Sequence, residues 1–197
     1  MMRLLIATTN PGKIREIATL LAGVDISLVS LADYPDMHDI IEDGATFTDN
    51  AIIKAREASE YSGLTALADD SGLVVDALDG QPGVLSARFA PTSAERNDKL
   101  LRMLGDVPDE RRTARFVCAV ALVRPDGFEW TASGTCEGVI TREPHGGGGF
   151  GYDPVFFFPA LGKTFAELSG DEKNAVSHRG NALRVFRDAV INDHIIG

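Results

Sequence analysis

The sequence predicts an α/β fold in which helices cover a mixed β-sheet, and three observations carry that prediction. Near the N-terminus, short apolar runs closed by turn residues alternate with segments of helical period. Pairs of Thr or Ser with an acid three residues later mark helix starts at Thr46/Asp49, Thr92/Glu95 and Ser169/Glu172. Farther on, two extended stretches flank Pro125-Asp126-Gly127, which reads as an antiparallel hairpin. Alternating strands and helices followed by a hairpin imply a mixed sheet.

Arg3 to Thr8 reads as a buried strand, and Lys13 to Leu21 as a helix with Ile14, Ile17, Ala18 and Leu21 on one face and Gly23 as its C-terminal cap. A second strand is expected over Asp25 to Ser30, then a long loop from Leu31 to Asp43. The Thr46 cap opens a helix through Ala51, Ala55 and Ala58 to Gly63. Leu64 to Ala68 is a buried run that should end at Asp69-Asp70-Ser71-Gly72, which places two acids at a strand end. A helix from Thr92 to Leu104, strands over Arg115 to Arg124 and Phe128 to Cys136, a helix opened by Ser169, and an amphipathic helix over Asn181 to Ile191 complete the expectation. No repeat or linker divides the chain, so one domain over residues 1–197 is expected.

The composition is that of a folded chain, with 44% hydrophobic and 24% charged residues. A net charge of -10 argues against sequence-independent binding to nucleic acid, which depends on clustered Lys and Arg. Small phosphorylated ligands stay open, because a few lysines in a cleft outweigh a distant acidic surface. Cys118 and Cys136 lack the spacing of a zinc or redox motif and read as core thiols in a reducing compartment. The apolar run Leu4 to Ala7 stops at Asn10-Pro11-Gly12, too early for a signal peptide, and no run has the length of a membrane span. A cytoplasmic protein is expected.

Four segments carry chemistry. Thr8-Thr9-Asn10-Pro11-Gly12-Lys13 joins a strand to a helix start, where backbone N–H groups and the helix dipole favour phosphate. It is not a P-loop, since Ile14 follows Lys13 and Ala7 stands where that motif has its first glycine. The same residues also suit an ordinary turn. Asp69 and Asp70 are adjacent carboxylates that would repel without a cation, and Mg2+ fits, because it takes few protein carboxylates and fills its shell with water and phosphate. Glu42 and Asp43 are the candidates for a second acid. Within Gly146 to Pro154, a glycine run precedes Phe150 and Tyr152, aromatic faces on which a base can stack. Lys173, His178 and Arg179 place donors between two helices.

Together with Asn50-Ala51, Lys54-Ala55, Pro82-Gly83, Ser86-Ala87-Arg88, Gly149-Phe150-Gly151-Tyr152-Asp153-Pro154 and Ser177-His178-Arg179-Gly180, these segments resemble the Ham1-like inosine triphosphate pyrophosphatases, also called dITP/XTP pyrophosphatases. The resemblance spans nearly the whole chain in the family's order. It implies an elongated mixed sheet flanked by helices, two lobes with an active-site cleft between them, a homodimer, and Mg2+-dependent hydrolysis of purine nucleoside triphosphates between the α- and β-phosphates. By matching position it implies phosphate binding by Thr8, Thr9, Asn10, Pro11, Gly12 and Lys13, with Lys54 assisting. Asp70 becomes proton acceptor and metal ligand, Glu42 the second metal ligand, and Ser71 a substrate contact. Phe150, Gly151, Tyr152, Asp153, Lys173, His178 and Arg179 become the nucleotide contacts. Two other readings remain: a Maf-like nucleotide pyrophosphatase, which lacks the Ser177 to Gly180 ending, and a non-catalytic nucleotide-binding protein, against which the Asp69-Asp70 pair speaks.

Overall fold

The computed structural model describes residues 2–196; Met1 and Gly197 lie outside the described residues. Its strands are β1 (Met2–Ile6), β2 (Ile26–Ser30), β3 (Thr65–Val75), β4 (Thr113–Val123), β5 (Glu129–Ile140), β6 (Phe156–Phe158) and β7 (Lys163–Thr164). The helices are α1 (Pro11–Leu20), α2 (Phe47–Ser62), α3 (Ser93–Met103), α4 (Gly170–Val176) and α5 (His178–Asp193). The strands form one seven-stranded sheet in the order β2-β1-β3-β4-β5-β6-β7. β1 pairs in parallel with β2 and β3, whereas β6 pairs antiparallel with β5 and β7. The sheet is therefore mixed, as the alternation followed by a hairpin predicted.

By chain contacts the protein falls into two compact units. One comprises Met1–Asp70, Cys118–Gly134 and Arg179–Gly197; the other comprises Ser71–Val117 and Thr135–His178. The first unit shows why its sheet is buried on both faces. Alternate residues of a strand point to opposite sides. Leu4, Ile6 and Leu67 thus join Ile17 and Leu21 of the α1 segment and Leu183, Phe186 and Val190 of α5 in one apolar cluster. Leu5, Ala66 and Ala68 join Ala51, Ala55 and Ala58 of α2 in another. The alanine stripe of α2 presents a low surface on which the helix lies close to the strands. In the second unit Leu73, Val75, Phe116, Phe156 and Phe165 pack with Leu100 and Leu104.

The capping signals hold at all three sites: Thr46, Thr92 and Ser169 each accept from the backbone N–H three residues on, and each acid reaches back to the cap. Gly63 ends α2 in a left-handed conformation. Three expectations need correction. β3 does not end at Asp69 but runs through Asp69-Asp70-Ser71-Gly72 to Val75, because both acids have partners that allow them to lie within a central strand. α1 starts at Pro11 and not at Lys13, since proline has the fixed φ of a first helical residue and Asn10 caps it. α5 starts at His178, so His178, Arg179 and Gly180 form its first turn and not a linker. The thiols of Cys118 and Cys136 are free and buried, as expected. Among the described residues no helix is long and apolar enough to cross a membrane.

Candidate functional site

The period of β3 also separates the two aspartates. Asp69 lies in register with Leu67, on the face covered by α1 and α5, whereas Asp70 follows Ala66 and Ala68 toward α2. Their partners differ accordingly. Asp69 is buried with Lys13 Nζ at 3.0 Å and the Arg179 guanidinium at 3.1 Å. Burial alone would raise its carboxyl, but Lys13, Arg179 and Lys54 outweigh that and hold it well below the usual carboxylate range. The adjacent acids thus have different close ion-pair partners, Lys13 and Arg179 for Asp69 and Lys54 for Asp70, while the Lys54 charge also acts on Asp69.

Asp70 accepts a hydrogen bond at Oδ2 from Asn50 Nδ2 (3.0 Å), and its Oδ1 lies 3.5 Å from Lys54 Nζ. Lys54 also lies 3.3 Å from Glu42 Oε1. One buried ammonium of α2 thus gathers Asp70 from a strand and Glu42 from the segment before that helix. Asn50 and Lys54 are four residues apart, so both reach the same face of α2. Two carboxylates converging on one point suit an ion that takes its remaining ligands from water and phosphate. Among the described residues no group of three or more His, Cys, Asp or Glu is placed to hold a metal ion.

The segment Thr8 to Lys13 is organised differently from the sequence-based picture of open N–H groups. The Asn10 carboxamide accepts from Gly12 N at 2.8 Å and from Lys13 N at 3.3 Å, Pro11 has no N–H, and Ile14 N bonds to Asn10 O. Asn10 N in turn donates to Thr8 Oγ1, and Thr8 N to Ile6 O. The first helical donors are thus already capped. What the segment offers a phosphate is the Thr8 and Thr9 hydroxyls, the positive end of α1 and Lys13.

Arg179, expected to touch the nucleotide, is only 2% exposed. Its guanidinium donates to Asp69 and to Glu16 of α1. Glu16 carries no motif signal, yet it stands three residues after Lys13 on the same helix face, the one feature that could have marked it.

In the second unit, the Asp153 carboxylate holds the other expected group together. Its Oδ2 accepts from Phe150 N and from Lys173 Nζ, both at 2.7 Å. Lys173 Nζ also lies 4.5 Å from the centre of the Phe150 ring. Gly149 has φ +69°, and a Cβ there would meet Asp153 Oδ2 at 2.1 Å, so only glycine lets the backbone pass this carboxylate. Phe150 is 36% exposed and offers a face to a base. Tyr152 does not: it is 4% exposed, its hydroxyl donates to Ser86 O at 2.9 Å, and burial raises its phenol. The expectation of two stacking aromatics thus narrows to one. The His178 ring stacks on Phe116 at 4.7 Å between centres and is buried. Gly151 is half-buried, and so is Ser71, which follows Asp70 in β3.

The chain is 54% identical over 191 residues to a dITP/XTP pyrophosphatase of Geobacter sulfurreducens, covering 95% of this chain and 96% of that protein. It is 49% identical over 197 residues to one of Pectobacterium atrosepticum, covering 98% and 100%. The solved structure of a HAM1 protein from Coxiella burnetii superposes with a TM-score of 0.90 at 43% identity, covering 97% of this chain and 99% of that one. The Ham1 family matches residues 4–189, a span that takes in every site residue named above and leaves out only the N-terminal end of β1 and the C-terminal end of α5 among the elements. The clustered carboxylates, the capped α1 start and the Phe150 loop are accordingly those of a chain that belongs to the Ham1 family.

Proposed function

We infer that the protein hydrolyses deaminated purine nucleoside triphosphates, ITP, dITP and XTP, to the nucleoside monophosphate and pyrophosphate, and so clears deaminated purines from nucleotide pools. The observation that carries this reading is the convergence of Asp70 and Glu42 on Lys54, in a unit that also presents Thr8, Thr9 and Lys13. The relatives named dITP/XTP pyrophosphatase supply the substrate class.

Asp70 acts as the proton acceptor. Asn50 fixes its Oδ2, which leaves Oδ1 beside Lys54 to receive a proton from the attacking water. Lys13 and Lys54 stabilise the charge that grows on the departing pyrophosphate. Asp70 and Glu42 would hold Mg2+, which would supply further positive charge to the phosphate oxygens. Phe150 stacks on the base, while Asp153 and Lys173 hold that residue in place. Donors around the base accept hypoxanthine and xanthine through the 6-oxo oxygen and oppose the 6-amino group of adenine. Ser71 and His178 complete the nucleotide contacts, and Arg179 contributes by holding Asp69 and Glu16.

The protein works as a cytoplasmic homodimer in this reading. Sedimentation at micromolar concentration should give twice the chain mass, and a monomer at that concentration contradicts the assembly. For the chemistry, Asp70→Asn should keep nucleotide affinity and lose about 100-fold or more in turnover, the scale of a removed general base. Near-normal pyrophosphate release from that variant refutes the assignment. Chelation of divalent ions should stop turnover and added Mg2+ restore it; turnover that persists in chelator removes Mg2+ from the reading.

A further inference from the structure

Asn97 lies on the face of α3 that buries Leu100 and leads to Leu104, a stripe on which the helical period calls for apolar residues. It is 6% exposed. Its Nδ2 donates to Gly151 O at 3.2 Å, while its Oδ1 is buried with no hydrogen-bond partner among the described residues. A buried amide that satisfies one of its ends and strands the other is a poor choice for the core. Its one polar contact reaches the loop between Phe150 and Tyr152.

That loop is not held by a regular backbone ladder. Gly149 and Gly151 have φ of +69° and +64°. Turn bonds from Asp153 N to Phe150 O and from Val155 N and Phe156 N to Tyr152 O hold it, together with side chains: Asp153 holds Phe150 N, the Tyr152 hydroxyl reaches Ser86 O, and Asn97 holds Gly151 O. Among the described residues, Asn97 is the side chain that hydrogen-bonds to the peptide between Gly151 and Tyr152. In a trans peptide the C=O and N–H point to opposite sides, so a carbonyl drawn toward α3 turns the Tyr152 N–H the other way. An N–H of fixed direction beside Phe150 is the kind of donor a 6-oxo purine accepts and a 6-amino purine opposes.

We propose that Asn97 is a positioning residue for purine recognition, orienting the Gly151–Tyr152 peptide through its hydrogen bond to the Gly151 carbonyl. The proposal rests on the reading of the Phe150 loop as the base-binding element.

The test compares wild type with Asn97→Ala and with Asn97→Leu, which keeps much of the packing volume without the amide. Steady-state pyrophosphate release is measured with ITP and ATP. Inorganic tripolyphosphate serves as a competitive inhibitor that reports phosphate binding alone, and thermal melting reports the fold. The KM for ITP should rise about three- to tenfold, the scale of one lost hydrogen bond, and the preference for ITP over ATP should fall by a similar factor. The kcat for ITP, tripolyphosphate inhibition and the Asn97→Leu melting temperature should stay near wild type. Wild-type KM and wild-type preference in both variants overturn the proposal. So does a joint loss of kcat, tripolyphosphate inhibition and melting temperature, which would mark a merely structural residue. A wild-type protein that releases no pyrophosphate from ITP overturns the functional reading, and the assignment of Asn97 with it.

Discussion

At positions 69 and 70 two aspartates stand side by side in the chain with different surroundings, since a strand sends neighbouring side chains to opposite faces. Asp69 ends among Lys13 and Arg179, Asp70 beside Asn50 and Lys54. Their substitutions should therefore separate. Asp69→Asn leaves the buried Arg179 without a main counter-charge, and breaking a buried pair this way costs about 3–5 kcal/mol. Chemical denaturation should register that loss, whereas Asp70→Asn should be lost in catalysis before stability. Equal stability losses in the two variants would contradict the division. The cysteines give a second check at this scale. Burial, with the Asp69 charge next in weight, pushes the Cys118 thiol up to about 12, and burial pushes Cys136 up to about 11. A thiol-specific disulfide reagent near neutral pH should find neither in the folded protein and both after unfolding; rapid labelling of the native protein would refute their burial.

Among the elements, those with polar punctuation were legible from the residues alone. Thr46 with Asp49, Thr92 with Glu95 and Ser169 with Glu172 each marked a helix start that the fold places within a residue. The hidden features depended on partners remote in sequence. Nothing local tells that Lys13 and Arg179 would let β3 continue through two acids, or that Arg179 would be drawn under α1 by Glu16. β6 and β7 were missed because Phe156–Phe158 is too short for any period and Lys163–Thr164 shorter still. For the site, residue types and order were readable, but geometry reassigned duties: Asn10 caps its own helix, and Tyr152 anchors a loop where stacking was expected. The loop before β6 also yields a prediction. Gly149→Ala adds a Cβ into the Asp153 carboxylate at a left-handed residue. It should raise the KM for ITP about tenfold or more, through the displaced Asp153 and Phe150. An unchanged KM would show that this loop does not serve the base.

For the molecule as a whole, the Ham1 family match over residues 4–189 and the seven-stranded mixed sheet agree with the expectation drawn from strand and helix alternation. The net charge of -10 argues against sequence-independent nucleic-acid binding, and the cations expected to meet phosphate are placed by carboxylates, Lys13 by Asp69 and Lys54 by Glu42 and Asp70. The central claim is that this arrangement cleaves the α–β phosphate bond of deaminated purine triphosphates selectively. The most direct measurement is product analysis for ITP, dITP, XTP, GTP and ATP with the purified protein and Mg2+. The account predicts nucleoside monophosphate and pyrophosphate from the first three, with ATP slower by about 100-fold. Equal rates on all five, or release of orthophosphate in place of pyrophosphate, would contradict it.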